Sequence, residues 1–293
     1  MKLTDQVTEF TEAVKDLRVA IVGETIIDEF IPCIYEGQSM KSFCPVFKLA
    51  GNKEEQQGGA TAIGNHLRDF VKEVVLVTNT EKEIVKTRYI DVDGGKKHVE
   101  VNKFDTAGFQ PVRLDCSGYD VVIVADFGHG FLNDAHFEGA FHLMCQTNSN
   151  NFGFNRVSKW KNYHKKSVCL DLREASLQMN QKIRFSTHEE LLALYNYELD
   201  TENLFVTLGG KGSVHTDGKT IHPQPAFKSK IVDTIGAGDT FYGFACLAAH
   251  LGLPNERLLT LPSLAASLST TWLCNEKSVT PNGLLDYATH FLP

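Results

Sequence analysis

The string DTIGAGD at residues 233–239 is where the chain's residue types and spacing point most directly to chemistry. Two glycines around one small residue let backbone N–H groups point outward at a helix start. With the helix dipole behind them, such amides hold an anion. Asp239 then stands beside developing negative charge, a sensible place for a base and a poor one for a purely structural carboxylate. The plain alternative is an N-cap with a glycine turn, which suits a bare Gly-Ala-Gly. The full string fits it less well. It follows the strand-like residues 229–232 and opens an apolar helix predicted over 240–251, stopped by Gly252 and Pro254.

Other candidates are scattered along the chain. Asp28 stands five residues after Gly23, at the end of a predicted strand, where open α/β sheets bind ligands. Gly58 and Gly59 allow a close backbone approach or simply make a tight turn. Lys86 and Arg88 are two apart, so a strand puts both on one face, as an anion site or as a solvated face. Asp126 and His129 flank the end of another strand. Glu174 follows Asp171 by three, which also fits an ordinary acidic helix start.

These residues need a scaffold, and the hydrophobic pattern supplies one. Residues 17–23, 73–79, 119–127, 167–172 and 203–208 are continuous apolar runs, read as strands buried on both faces. A helix begins after Gly59, with Ala60, Ile63, Leu67 and Phe70 on its apolar side. Alternating strands and helices predict an α/β domain with a mostly parallel sheet between helical layers. Residues 29–48 and 83–104 are β-prone and more polar, and read as a small accessory sheet. Asp217-Gly218 between SVHT and KTIHP predicts a two-residue hairpin turn. The amide-rich stretch QTNSNNFGFN at 146–155 offers Asn148, Ser149 and Asn151 as hydrogen-bonding groups without an assigned role.

Composition narrows the classes. The 293 residues carry 29 basic and 36 acidic side chains, a net charge of −7, with 42% hydrophobic residues. That is the profile of a globular domain, and its sign argues against a nucleic-acid binder. No apolar run is long enough to span a bilayer, and the N-terminus lacks a signal core. The 7 cysteines are odd in number and contain no CxxC pair, so they read as reduced thiols in a cytoplasmic protein.

The strings VAIVGETIIDEF, GGATAIGNHL, KTRYID, VIVADFGHG, VTLGGKGSV and DTIGAGD together resemble the PfkB, or ribokinase-like, carbohydrate kinases over most of the chain. The likeness is nearest to the heptose 7-phosphate kinase branch. It implies a single three-layer α/β/α domain over 1–293 with a small β lid at 29–48 and 83–104. It implies transfer of the γ-phosphoryl group of ATP, with Mg²⁺, to a sugar hydroxyl. Asp239 would be the base, and the amides of Gly236, Ala237 and Gly238 the anion hole. Asp28, Gly58, Gly59, Asn65, Lys86, Arg88 and Asp126 would meet the sugar or sugar phosphate. His129 would be at most a phosphate contact. Thr207, Gly209, Gly212 and Thr234 would meet the nucleotide, and Glu174 would act on the metal side.

The resemblance also implies a homodimer through the lid. The branch is often joined to a nucleotidyltransferase domain, expected here as a separate partner because the chain ends at Pro293. No nucleic-acid or membrane partner is implied. Three departures stand out. Ala62 replaces an asparagine that touches the sugar, and Asp171 replaces the asparagine of Asn-x-x-Glu. Thr80 runs straight into Glu81 where the family has a further helix and strand, and residues 104–119 are lean. These departures keep two rivals in view: a kinase of this fold for a neutral sugar or nucleoside, and a non-catalytic binding protein that has kept the fold.

Overall fold

The structure is a computed structural model that describes residues 1–105, 108–184 and 188–291. Pro293 and part of the lean 104–119 stretch (Thr106, Ala107) lie outside the described residues. In chain order the strands are β1 (Arg18–Gly23), β2 (Thr25–Gln38), β3 (Pro45–Leu49), β4 (Glu54–Gly59), β5 (Glu73–Val77), β6 (Val85–Asp91), β7 (Lys97–Lys103), β8 (Arg113–Asp115), β9 (Val121–Asp126), β10 (His136–Glu138), β11 (Phe141–Cys145), β12 (Lys165–Asp171), β13 (Thr201–Thr207), β14 (Ser213–Thr216) and β15 (Ile221–Gln224). The helices are α1 (Leu3–Val14), α2 (Ala60–Leu67), α3 (Leu172–Gln178), α4 (His188–Tyr195), α5 (Ala237–His250), α6 (Thr260–Ser269) and α7 (Pro281–Ala288).

The main sheet runs β15-β14-β13-β12-β11-β9-β1-β5. It is parallel from β13 to β5, and β14 and β15 are antiparallel at one edge. Successive residues of β1 and β9 go to opposite sides. Val19, Ile21, Val121 and Ile123 pack with α1, α2, α5 and α6, while Ala20, Val22, Val122 and Val124 join a second core with Phe141, Trp160 and Leu194. Apolar burial on both faces is why these strands are continuous hydrophobic runs. α5 is anchored to the sheet by the Tyr242 hydroxyl, which donates to the Val124 carbonyl at 3.0 Å. That bond fixes where the helix start points.

The second sheet has the order β3-β2-β6-β7, with β4 also paired to β2. It begins at Thr25 and takes in Glu54–Gly59, so it is larger than the two polar segments predicted. A single residue, Glu24, separates it from β1. Glu24 is buried and accepts the Phe127 and His129 amides at 2.9 and 3.1 Å. Burial and the nearby Asp126 raise its carboxyl above the usual range.

Several expectations are corrected. Residues 229–232 form no strand, and α5 starts at Ala237, three residues before the predicted helix start. Asp217-Gly218 is not a two-residue turn. The Asp217 carboxylate takes the Lys219 and Thr220 amides in a longer loop closed by side-chain bonds. Between β9 and β12 the second face is covered by 3₁₀ turns, short strands and aromatic packing, without an α-helix. β5 is the sheet's outer strand, and Val74 to Val77 are only half-buried.

Candidate active site

The second sheet, the carboxyl ends of β12 and β13, and the start of α5 enclose one cleft of about 1200 Å³. Small-ligand pockets usually reach roughly 300–1,000 Å³, so this one has room for two substrates. Asp28, Gly59, Lys86 and Arg88 line one end, and Thr207, Gly209, Gly212 and Thr234 the other. Gly236, Ala237, Gly238 and Asp239 line it between them.

The signature turn has the geometry an anion needs. Gly236 caps α5 in the left-handed region, at φ 83°. A Cβ there would lie 2.6 Å from Asn275 Oδ1, so glycine is required twice over. Among the described residues no acceptor meets the amides of Gly236 and Gly238, while Ala237 donates weakly to Thr234 O at 3.3 Å. Upstream, Asp233 Oδ1 accepts the Thr234 and Ile235 amides at 2.8 and 3.3 Å. The loop is therefore organised by a carboxylate that sequence reading left unassigned.

Asp239 occupies the third position of α5 and is half-buried. Burial, helped by the nearby Asp28 and opposed by Lys86, raises its carboxyl to about 7. A base poised near neutrality is well matched to taking a hydroxyl proton. Asp28 is buried and also raised by burial, against the pull of Arg88 and Lys86. A Cβ on Gly58 would meet Asp28 Oδ2 at 2.3 Å, so that glycine makes room for the carboxylate instead of lining the cleft itself.

The two cations of β6 prove unequal. In the parallel β2–β6 pair, Lys86 lies opposite Asp28 and Arg88 opposite Phe30. Arg88 Nη1 donates to Asp28 Oδ1, and its Nε donates to Glu100 Oε2 at 2.8 Å. Two of the guanidinium's five N–H donors are thus held by protein carboxylates, and Arg88 lines the cleft beside Lys86. Among the described residues the Lys86 ammonium has no side-chain acceptor. Burial lowers its pKa.

Four further expectations are corrected. Asn65 sits on α2 and does not line the cleft. Asp126 is fully buried; it accepts Lys159 Nζ at 2.8 Å, Trp160 Nε1 at 2.9 Å and Asn155 Nδ2 at 3.1 Å, and does not line the cleft. His129 is fully buried, and burial lowers its pKa to about 4, so it is neutral and unsuited to binding phosphate. Glu174 caps its helix instead of facing a metal. Its oxygens accept the Thr147 amide at 3.0 Å and the Asp171 amide at 2.8 Å, while Asp171 Oδ1 accepts the Glu174 amide at 2.7 Å. Burial, then Asp171, pushes the Glu174 carboxyl up to about 8.

Asn148 and Asn151 stitch their own loop, donating to Phe127 O at 2.9 Å and Gln146 O at 3.0 Å; neither they nor Ser149 line the cleft. Ala62 is buried inside α2. The structure adds residues that sequence reading missed. Arg173 and Lys182 line the nucleotide-side end with no ion-pair partner among the described residues. Asn275 lines the middle; it follows Cys274, a non-glycine residue at φ 46°.

A cleft between a parallel sheet and a small β cover, with an amide-rich helix start beside a carboxylate, defines the ribokinase-like fold. Residues 132–272 match the family model described as pfkB family carbohydrate kinase. That segment, just under half of the chain, is thus similar to the PfkB family, within a fold shared with the ribokinases. The chain is 40% identical to a ribokinase of Lactococcus lactis subsp. lactis over 81 residues, 28% of this chain and 25% of that protein. It is 21% identical to the bifunctional protein HldE of Campylobacter fetus subsp. fetus, covering 86% of this chain and 62% of that one. The chain thus spans a quarter to under two thirds of these relatives. The structure of Arabidopsis thaliana ribokinase complexed with ribose and ATP aligns with a TM-score of 0.64 at 13% identity, covering 93% of this chain and 99% of that one. Among the described residues no helix is long and apolar enough to cross a membrane, and the cysteines are unpaired.

Proposed function

We propose that this chain transfers the γ-phosphoryl group of ATP to a hydroxyl of a sugar. The observation that carries the reading is Asp239, half-buried with a carboxyl raised to about 7, next to the open amides of Gly236 and Gly238. The acceptor hydroxyl gives its proton to the Asp239 carboxylate as its oxygen bonds to the γ-phosphorus. The bond from that phosphorus to the bridging oxygen breaks, and ADP leaves. The amides of Gly236 and Gly238 meet the charge on the transferring group, the contribution such a reaction needs most.

Mg²⁺ held with ATP is usually bound by phosphates, waters and one or two carboxylates. In this cleft Asp171 would be such a carboxylate. Asp171 is the better protein contact than Glu174, because it lines the cleft and only its Oδ1 is engaged by the helix cap. The ion would neutralise the phosphates. Arg173 and Lys182 supply cations at the same end.

For the acceptor, Lys86 supports a sugar that already carries an anionic group, in line with a heptose 7-phosphate kinase-like member. The commitment of Arg88 to Asp28 and Glu100 favours a second reading, a neutral sugar. ADP release with Mg-ATP across neutral sugars and sugar phosphates tests both. No turnover on any acceptor while ATP binds would favour a non-catalytic protein. A homodimer through the small sheet and a separate nucleotidyltransferase partner belong to the same proposal; sedimentation tests the first and co-purification the second.

A further inference from the structure

β7, the outer strand of the second sheet, carries three side chains that bond to three different segments around the cleft. Lys97 Nζ donates to both Asp233 oxygens at 2.8 Å. Glu100 holds Arg88, which holds Asp28. Asn102 Nδ2 donates to Asn150 Oδ1 at 3.3 Å, on the amide-rich loop.

The register explains how one strand does this. Asn102 pairs opposite Lys86 and Glu100 opposite Arg88, on the face that β6 turns to the cleft. Strict alternation would then send Lys97 to the other face. The ladder shifts between Tyr89 and Ile90, so Val99 pairs with Tyr89 but Lys97 pairs with Ile90. His98 is the extra residue. Such a bulge re-aims a side chain, and here it returns Lys97 to the face of Glu100 and Asn102.

Lys97 meets a carboxylate that is only 8% exposed and already holds the Thr234 and Ile235 amides. A carboxylate that dry needs a partner. Those two amides lead directly into Gly236 to Gly238. The same strand thus touches the wall beside Asp28 and, through Asp233, the turn beside Asp239.

We infer that Lys97 is a positioning residue: acting through Asp233, it sets the anion-binding turn when the small sheet lies over the acceptor end, so that the two ends of the cleft are assembled together. The inference rests on the phosphoryl-transfer reading and adds a residue outside the signature. Losing the contact would leave both substrates able to bind while the amides fall out of line. A misplacement of about 1 Å can lower turnover by roughly 10²-fold.

The test is Lys97→Met beside Lys97→Arg, read by turnover and by amide hydrogen exchange over residues 233–240. Expected are a kcat lowered about tenfold or more by Lys97→Met, KM for both substrates within about threefold, and recovery in Lys97→Arg. Exchange at the turn should quicken in Lys97→Met while that of β9 and β12 stays unchanged. Wild-type exchange and kcat in Lys97→Met would overturn the inference and leave the kinase reading standing. A wild-type protein without turnover would overturn the kinase reading; faster exchange in Lys97→Met would then still support the structural link. If Lys97→Met fails to fold, Asp233→Asn, which keeps acceptor and size, is read the same way. Unchanged exchange there would overturn the link.

Discussion

Asp28 and Arg88 form an ion pair whose side chains are only 7% and 9% exposed, with Glu100 on the guanidinium's other side. Two carboxylates thus share one buried cation at the acceptor end of the cleft. Removing the cation leaves the buried Asp28 carboxylate without its ion-pair partner. Arg88→Met should therefore lower the stability by about 3 kcal/mol, read as a lower midpoint in urea. An unchanged midpoint would mean that the pair is balanced elsewhere.

Asp239→Asn should lower turnover by about 10²–10⁴, the usual worth of general base help. Activity that survives the substitution would sink the mechanism. The same variant has a second signature. The folded carboxyl is raised to about 7 from an ordinary value near 4, so ionising it opposes folding. Stability from this group is intact below its unfolded value and is lost as pH rises through the folded one. Asp239→Asn should hence melt higher than wild type at about pH 8, with the difference fading toward about pH 4.

Lys86 holds the Asp239 carboxyl down while burial raises it. Lys86→Met should shift the acid limb of the pH–rate profile to higher pH. If the acceptor carries a phosphate, KM for it should also rise about tenfold while a neutral sugar is spared, as expected for one charge-assisted contact. Equal effects on both would point to a neutral acceptor.

At the other end, Arg173→Ala and Lys182→Ala should each weaken ADP binding about tenfold and leave adenosine binding unchanged. Calorimetry of the two ligands separates the outcomes. Weakening of both would place these cations against the nucleoside. Asp171→Asn should raise the Mg²⁺ concentration needed for half-maximal turnover.

The signature turn, Asp28 and Gly59 line the cleft, and short local strings marked their positions, whereas Gly58 stands behind Asp28. α1 was legible in principle: Val7, Phe10 and Val14 repeat at helical spacing and are buried. The run Phe141 to Cys145 was apolar enough to mark β11, also missed. Lys97 could not have been read. It lies 136 residues from Asp233 in sequence and reaches it only through a bulge. The roles given to Asp126 and Glu174 failed for a related reason. Strand-end position is visible in a sequence, whereas Trp160, Lys159 and the Thr147 amide come from distant segments to claim those carboxylates.

β2 is one unbroken 14-residue strand that leaves the main sheet at Glu24. β3, β4 and β6 are all hydrogen-bonded to it, so the whole second sheet is mounted on a single beam. Such a beam is roughly 46 Å long at about 3.3 Å per residue. A turn of about 10° at its base would carry the far tip through roughly 8 Å. At the base Glu24 is clamped by the Phe127 and His129 amides, and β4 runs straight into α2, so the acceptor wall is tied to the main sheet at two points.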